Sequence, residues 1–261
     1  MNTSLIGKNA LICGSTQGIG LAIAKELSLS GAHCILMARN ENALKEAIAQ
    51  LHPLPDMPHQ YLVADFSKPD EVKRTINDFV KTSTIHILIN NSGGPKPGLI
   101  ADEDEEKFVD AFRQHIVCNQ ALAKAVLPGM KAARYGRIIN IISTSVRIPI
   151  ANLGVSNTIR AAVASWAKTL SNEVAEFGIT VNSILPGYTN TQRLQSLLET
   201  NAGKRGITVD ELAKEMKERI PAKRFGDPTE TAAVAAFLAS PAASFVNGVS
   251  IPVDGGGTGT I

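Results

Sequence analysis

The spacing of apolar residues changes repeatedly along this chain. Short unbroken apolar runs alternate with stretches in which apolar residues recur every three or four positions. The runs are NALIC (9–13), HCILMA (33–38), QYLVA (60–64), IHILIN (85–90), GRIINII (136–142), ITVNSIL (179–185) and VSIPV (249–253). Their length predicts strands. Their continuity, in place of polar–apolar alternation, predicts strands buried on both faces, as in a parallel sheet covered by helices. Helical spacing fills the gaps at 20–31, 41–51, 67–80, about 104–133, 155–177 and after Asp227. Asn40, Ser67 and Asp227 are the expected N-caps; after Ser67 come Pro69 in the first turn and Asp70 three residues on. Strand–helix alternation of this kind predicts an α/β fold with about seven strands in a doubly wound sheet and helices on both faces.

Residues 1–261 contain no internal repeat and no linker, so one domain is expected. The composition shifts at 190–224, which is polar and partly helical. A long insertion after a strand's carboxyl end borders the ligand crevice in open α/β sheets, so this segment is the expected helical substrate loop; a solvated helical pair is the plainer alternative. The net charge is +2, which gives no argument for nucleic acid or an anionic membrane. The segment MNTSLIGKNALIC lacks a basic start and an apolar run of signal-peptide length, and no apolar stretch reaches the ~18 residues of a membrane span. Cys13, Cys34 and Cys118 fit no metal spacing and no disulfide framework. Three buried thiols, no metal and a cytoplasmic location are expected.

The first strand runs directly into CGSTQGIG, with Gly14, Gly18 and Gly20 in the turn and the first helical residues. A turn without side chains lets backbone approach a pyrophosphate, and a helix N-terminus supplies amides and a positive dipole end. The spacing differs from GxGxxG and is weak evidence alone. Five further pieces follow in order: ADFSKPDEV, NNSGG, GRIINIIS, GITVNSILPGYTNT and NGVSIPVDGG. Together they resemble the short-chain dehydrogenase/reductase family over nearly the whole chain, and most closely the branch resembling 3-oxoacyl-carrier-protein reductases.

The resemblance implies a single-domain Rossmann-type sheet and a bound nicotinamide dinucleotide. By position, Gly14, Ser15, Thr16, Gln17, Gly18, Ile19 and Gly20 would hold the pyrophosphate and adenine ribose. Asp65 and Phe66 would lie at the adenine, and Asn91, Ser92 and Gly93 at the central ribose. Pro186, Gly187, Thr189 and Thr191 would surround the nicotinamide amide. The second strand ends in MARN, with no acid to meet a ribose 2′-hydroxyl and with Arg39 able to meet a 2′-phosphate. NADP(H) is therefore expected over NAD(H), unless Arg39 is a surface residue ahead of a helix cap.

The family's chemistry rests on Asn, Ser, Tyr and Lys, with Tyr and Lys four apart on one helix face. Ser143 keeps the serine position. The register then puts Ser156 at the tyrosine position and Arg160 at the lysine position, while His115 falls at the asparagine position with Asn119 one turn on. The nearest tyrosines are Tyr135 and Tyr188, and no lysine lies between Lys131 and Lys168. A phenol of pKa ~10 can be tuned toward neutrality, whereas a serine hydroxyl is far less acidic. Arginine keeps the charge and can fork hydrogen bonds to a ribose, but does not release its proton. Candidate substitutes are His115, with an ordinary pKa in the useful range, Tyr188, and Ser143 with Ser156 holding a carbonyl oxygen or a water. Arg147 is a candidate for an anionic substrate or an alkoxide, and Asn152 and Asn157 are further cleft candidates. His115, Tyr188 and Arg147 each have a plain structural reading as packing or surface.

Three functions follow, in descending order of support. The first is an NADP(H)-dependent oxidoreductase acting on a small-molecule carbonyl/alcohol pair with an atypical proton donor. The second is a cofactor-binding protein with little redox turnover, as a sensor or inactive partner subunit. The third is a non-redox enzyme on the same scaffold. The resemblance also implies a homo-oligomer, tetramer or dimer, through the Ala-rich helical regions 104–133 and 155–177.

Overall fold

A computed structural model of the chain describes residues 1–55 and 57–260. Among these, the strands are β1 (Asn9–Cys13), β2 (His33–Ala38), β3 (Gln60–Val63), β4 (Ile87–Asn90), β5 (Gly136–Ile141), β6 (Ile179–Pro186) and β7 (Ser250–Val253). They form one seven-stranded sheet in the order β3-β2-β1-β4-β5-β6-β7. Every pairing is parallel. The helices are α1 (Gly18–Leu29), α2 (Glu41–Ile48), α3 (Pro69–Phe79), α4 (Glu105–Phe112), α5 (Cys118–Ala132), α6 (Gly154–Val174), α7 (Gln192–Arg205), α8 (Val209–Glu218) and α9 (Pro228–Ala239).

Continuous apolar strands become two cores because successive side chains point to opposite faces, whereas the edge strands β3 and β7, paired on one side only, are part-exposed and not buried on both faces as expected. In β1, Ala10 and Ile12 join Ile23, Leu27, Leu44 and Ala235 of α1, α2 and α9. Leu11 and Cys13 join Ile76, Leu122 and Ala167 of α3, α5 and α6 on the other face. Each large aliphatic side chain buried this way contributes roughly 1.5–3 kcal/mol, and a polar residue in the run needs a partner. The side-chain amides of Asn90 in β4 and Asn140 in β5 find acceptors across the sheet. Asn90 Nδ2 donates to Asn140 Oδ1 at 2.9 Å, and Asn140 Nδ2 to the Asn182 carbonyl at 3.3 Å. Asn90 lies directly opposite Asn140, so the pair forms only in this register.

The expected elements are present, with local differences. Asn40 and Asp227 cap α2 and α9, the latter in a capping box with Glu230. Ser67 does not cap α3: the helix begins after Lys68, and the Ser67 N–H donates to Asp65 Oδ1 at 2.9 Å. The Asp65 carboxylate thus makes a turn of the segment expected to be the first helical residues. The region 104–133 is broken by a π-helical turn, Arg113–Val117, that holds His115. Segment 190–224 folds into α7 and α8, which share a small core built on Leu194, Leu198 and Leu212. Cys13, Cys34 and Cys118 are buried free thiols. No helix among the described residues is long and apolar enough to cross a membrane.

The strand order reverses between β1 and β4, where an open sheet leaves a crevice at the strands' carboxyl ends. The glycine turn after β1 fills that reversal. A Cβ at Gly20 would lie 2.1 Å from the Gly14 carbonyl oxygen, whereas one at Gly203, in α7, would meet nothing within 4 Å. Gly20→Ala is therefore expected to lower stability by about 1–3 kcal/mol through overpacking. Gly203→Ala, on an exposed helix interior, should raise it by about 0.5–1 kcal/mol. Urea unfolding of the two variants beside the wild type checks both signs.

Candidate active site

Gly14 leaves β1 with φ +57°, a left-handed conformation that costs glycine little. The Asn91 side chain, just past β4, donates through Nδ2 to the carbonyls of Cys13 (3.3 Å) and Gly14 (3.1 Å). The turn then enters α1, whose N-cap Gln17 makes no side-chain cap and whose first turn carries no acid. Its leading N–H groups therefore remain available to an anion. The Ser15 hydroxyl is buried without a partner in the same turn. An uncapped, acid-free helix start beside an orphaned hydroxyl fits a phosphate-bearing ligand. At the far end of the crevice, exposed Arg39 ends the β2 segment. Its charge helps hold the Asp65 carboxyl below the usual range, after the larger effect of the Ser67 N–H. The Phe66 ring packs in the core, and its carbonyl accepts the Cys118 thiol at 3.4 Å, which leaves little but backbone to offer a ligand.

The other end is built by β5, α6 and the loops after β4 and β6. Ser143 follows β5, and its hydroxyl oxygen accepts the Ser145 N–H at 3.1 Å. Its own O–H is thereby left to donate elsewhere. Ser156 is 8% exposed on the first turns of α6. Arg160 lies one turn along, and its Nη1 donates to the Ile141 carbonyl at 2.8 Å, which ties α6 to the end of β5. Burial, and then the charge of Arg193, push the Arg160 pKa down to about 10, so it remains a cation at neutral pH.

His115 sits on the π-helical turn with its Nδ1 2.9 Å from Ser92 Oγ and its Nε2 buried without a partner. Burial first, then Arg160 and Arg193, push its pKa down to about 3. The expectation of an imidazole titrating in the useful range is corrected on that ground: among two guanidinium groups and without a carboxylate it stays neutral. Tyr188 is half-exposed, its ring edge-on to Phe225 at 6.3 Å. Burial raises its pKa, and Arg219 only partly opposes this. Arg147 is exposed, with Nη2 3.4 Å from the Ser250 carbonyl. Asn152 and Asn157 shape the approach to α6. The Asn152 carbonyl accepts the Gly98 N–H at 3.0 Å, and Asn157 Nδ2 donates to the Ile150 carbonyl at 2.9 Å.

After β6, Pro186 pairs with Val253 and the Gly187 N–H donates to the Val253 carbonyl at 3.0 Å. Thr189 Oγ1 donates to the Gly187 carbonyl, and Thr191 caps α7 by accepting the Leu194 N–H. Arg193, missed in the sequence, reaches back from α7 to the loop after β4. Nη1 donates to the Gly94 carbonyl (3.1 Å) and Nη2 to the Pro95 carbonyl (3.2 Å). Its signal was legible: a cation in a helix's first turn opposes the macrodipole and needs another reason to be there.

The depressed His115 pKa carries a stability consequence. In the unfolded chain this histidine protonates near 6.5; in the fold it stays neutral until about 3. Between those values unfolding takes up a proton, so stability falls as pH falls, by about 1.4 kcal/mol per unit. From pH 7 to 5 the wild type should lose about 2 kcal/mol more than His115→Gln, read from urea unfolding at both pH values. Equal losses in the two proteins would show that His115 titrates normally.

Residues 14–258 match a family model described as enoyl-(acyl carrier protein) reductase. The chain is 34% identical to a 3-oxoacyl-[acyl-carrier-protein] reductase, FabG, of Vibrio harveyi, over 97% of this chain and 98% of that one. It is also 34% identical to a D-beta-hydroxybutyrate dehydrogenase of Cupriavidus necator, with the same coverage. Its structure resembles that of L-sorbose reductase from Gluconobacter frateurii complexed with NADPH and L-sorbose, with a TM-score of 0.93, 30% identity and full coverage of both chains. A parallel sheet reversing at β1/β4, a glycine turn at the reversal and these full-length likenesses agree: the chain belongs to the short-chain dehydrogenase/reductase family.

Proposed function

We propose that this protein is an NADP(H)-dependent oxidoreductase that interconverts a small carbonyl compound and its alcohol with an atypical proton donor. The observation that carries this reading is the uncapped, acid-free start of α1 opening into the crevice that also holds Ser143, Ser156 and Arg160. FabG-type reductases and the NADPH-bound sorbose reductase, its relatives, support the same chemistry and cofactor.

In this reading Gly14, Ser15, Thr16, Gln17, Gly18, Ile19 and Gly20 hold the pyrophosphate side, and Arg39 meets the 2′-phosphate. Asp65 and Phe66 border the adenine. Asn91, Ser92, Gly93 and Arg160 face the central ribose, with Pro186, Gly187, Thr189 and Thr191 at the nicotinamide amide. The bound dinucleotide supplies or accepts the hydride. The chain's residues manage the oxygen and its proton. Ser143 and Ser156 donate hydrogen bonds to the substrate oxygen, and Arg160 stabilises its negative charge. A serine hydroxyl is a poor proton reservoir, so Ser156 passes a proton from water as it gives up its own. The α7–α8 pair (190–224) is assigned as the substrate lid. A homo-oligomer, tetramer or dimer, is assigned to the outer faces of α5 and α6, where Leu127, Trp166 and Leu170 line an open groove. Three free buried thiols support a reducing cytoplasmic setting.

NADPH is expected to bind more tightly than NADH, with Arg39→Ala weakening NADPH by at least about tenfold and leaving NADH unchanged. Fluorescence titration checks this, and equal affinities would overturn the cofactor assignment. With NADPH and a panel of ketones, diketones and 3-oxoacyl thioesters, turnover should be slow. Ser143→Ala and Ser156→Ala should each lower kcat by about 10–100-fold, and the double variant Ser156→Tyr/Arg160→Lys should raise it by about 10²–10⁴-fold, the usual worth of acid–base help. Tight NADPH binding without turnover across the panel would favour a cofactor-binding sensor or inactive partner subunit, the reading that the Ser156/Arg160 pair otherwise supports.

A further inference from the structure

Two guanidinium groups converge where the crevice meets the loop after β4. A methyl group built on Gly94 would sit 3.0 Å from Arg193 Nη2 and 3.1 Å from Arg160 Nη2. They reach this point from separate elements, α7 and α6, each steadied by backbone carbonyls. Arg160 bonds Ile141, and Arg193 bonds Gly94 and Pro95. Among the described residues neither forms an ion pair; the arginines that do are Arg113, Arg205 and Arg224. The acid-free first turn of α7 adds a positive dipole end beside Arg193. The neighbouring ionisable group, His115, is also uncharged. Each guanidinium has five N–H donors, and the carbonyls use one on Arg160 and two on Arg193. A part-buried cation, Arg160, and an exposed one, Arg193, with donors to spare and no paired carboxylate form an unfinished ion cluster.

We propose that Arg193 and Arg160 bind an anionic group on the substrate, and that the substrate class is therefore a small oxo acid and its hydroxy acid. This rests on the oxidoreductase reading for the chemistry, though the anion subsite stands on its own geometry. Arg160 lies one helical turn from Ser156 and bonds to a residue two before Ser143, so the anion sits beside the carbonyl that those hydroxyls hold. The proposal places the carboxylate one or two carbons from the reacting carbonyl, as in 2-oxo and 3-oxo acids. The reaction balances as oxo acid plus NADPH plus one proton giving hydroxy acid plus NADP⁺. The hydride goes to carbon and the proton to oxygen, while the carboxylate is unchanged. The other anion in reach is the cofactor's pyrophosphate. The start of α1 already answers that charge, so the substrate is assigned to the arginine pair.

The test is calorimetric binding to the NADP⁺-loaded protein, in which an oxo compound cannot be reduced. The probes are acetoacetate, 2-oxobutanoate and their uncharged methyl esters. Each acid should bind at least tenfold more tightly than its ester, and added salt should narrow the gap. Arg193→Gln, which keeps a donor for the loop carbonyls but loses the charge, should abolish the preference and change NADP⁺ affinity by less than twofold. Arg193→Lys should keep part of the preference. Equal binding of acid and ester would overturn the proposal. So would a preference that survives in Arg193→Gln, or a loss that falls on NADP⁺ in place of the acid. Turnover with NADPH separates the two readings. Reduction of the esters without acid preference would leave the oxidoreductase standing and remove the subsite. Acid-selective binding without reduction of any probe would do the reverse.

Discussion

One side-chain amide at the sheet's reversal point organises the rest of the site. Asn91 donates to the Cys13 and Gly14 carbonyls, closing the turn after β1 against the end of β4. The β1–β4 ladder ends at Ile12 and Ile89, so the chain just beyond it needs another tie between the two strands' carboxyl ends. The amide does so at a place where the backbone has already left the sheet ladder, and unsatisfied carbonyls there would be costly. Its approach explains the glycines. A Cβ at Gly14 would lie 2.6 Å from the Asn91 carbonyl oxygen, and one at Gly20 would lie 2.7 Å from its Nδ2. Those glycines serve the turn's own packing before they serve any ligand. The helix start that the turn aims into the crevice is what remains free to meet a phosphate.

The opposite end of the crevice is governed by charge. Arg160 and Arg193 approach one point near Gly94. Their Nη2 atoms, 3.0 and 3.1 Å from that point, lie no more than about 6 Å apart, and two unit charges at that limit repel by roughly 3 kcal/mol at an effective dielectric of about 20. The backbone carbonyls they bond offset part of that cost but carry only partial charge. Burial keeps His115 neutral and the same field adds to it, so the π-helical turn holds its histidine as a hydrogen-bonding partner of Ser92 and not as an acid. The guanidinium pair and the neutral imidazole are thus one electrostatic arrangement, and an anion placed there would relieve the repulsion and raise the His115 pKa.

The sheet, its helices and the place of the glycine turn were legible in the sequence because each rests on local periodicity or on caps such as Asn40 and Asp227. Continuous apolar strands can be buried only between two helical layers. Ser67 misled because its local pattern fits a cap, while Asp65 draws the chain into a turn first. The register count from Ser143 named Ser156 and Arg160, and α6 does carry them one turn apart. The pKa of His115 was out of reach: a sequence shows a histidine, not its burial or the arginines that face it. Arg193 was missed because its partners, Gly94 and Pro95, lie about a hundred positions away and are backbone atoms. The pairing of Asn90 with Asn140 across the sheet was also out of reach, since it needs the register.

In the proposed reading Ser156 stands where the family's resemblance implies a phenol, with Arg160 one turn along. A phenol of pKa ~10 next to a cation can share its proton near neutrality, and a serine hydroxyl cannot. The loss is about proton supply, typically worth 10²–10⁴-fold, and does not touch hydride delivery or oxygen binding. An arginine at the neighbouring position keeps a fixed positive charge at any working pH, as the shift to about 10 still leaves it protonated. In the proposed reading a permanent cation would stabilise negative charge developing on a substrate oxygen, with water completing the proton transfer. Such a site gives up speed but keeps its charge. That charge also favours a substrate bearing a second negative group, because only such a substrate neutralises the arginine pair as well as the reacting oxygen. In the proposed reading Arg160 on α6 and Arg193 on α7 therefore act together, as an excess of positive charge at one point of the crevice.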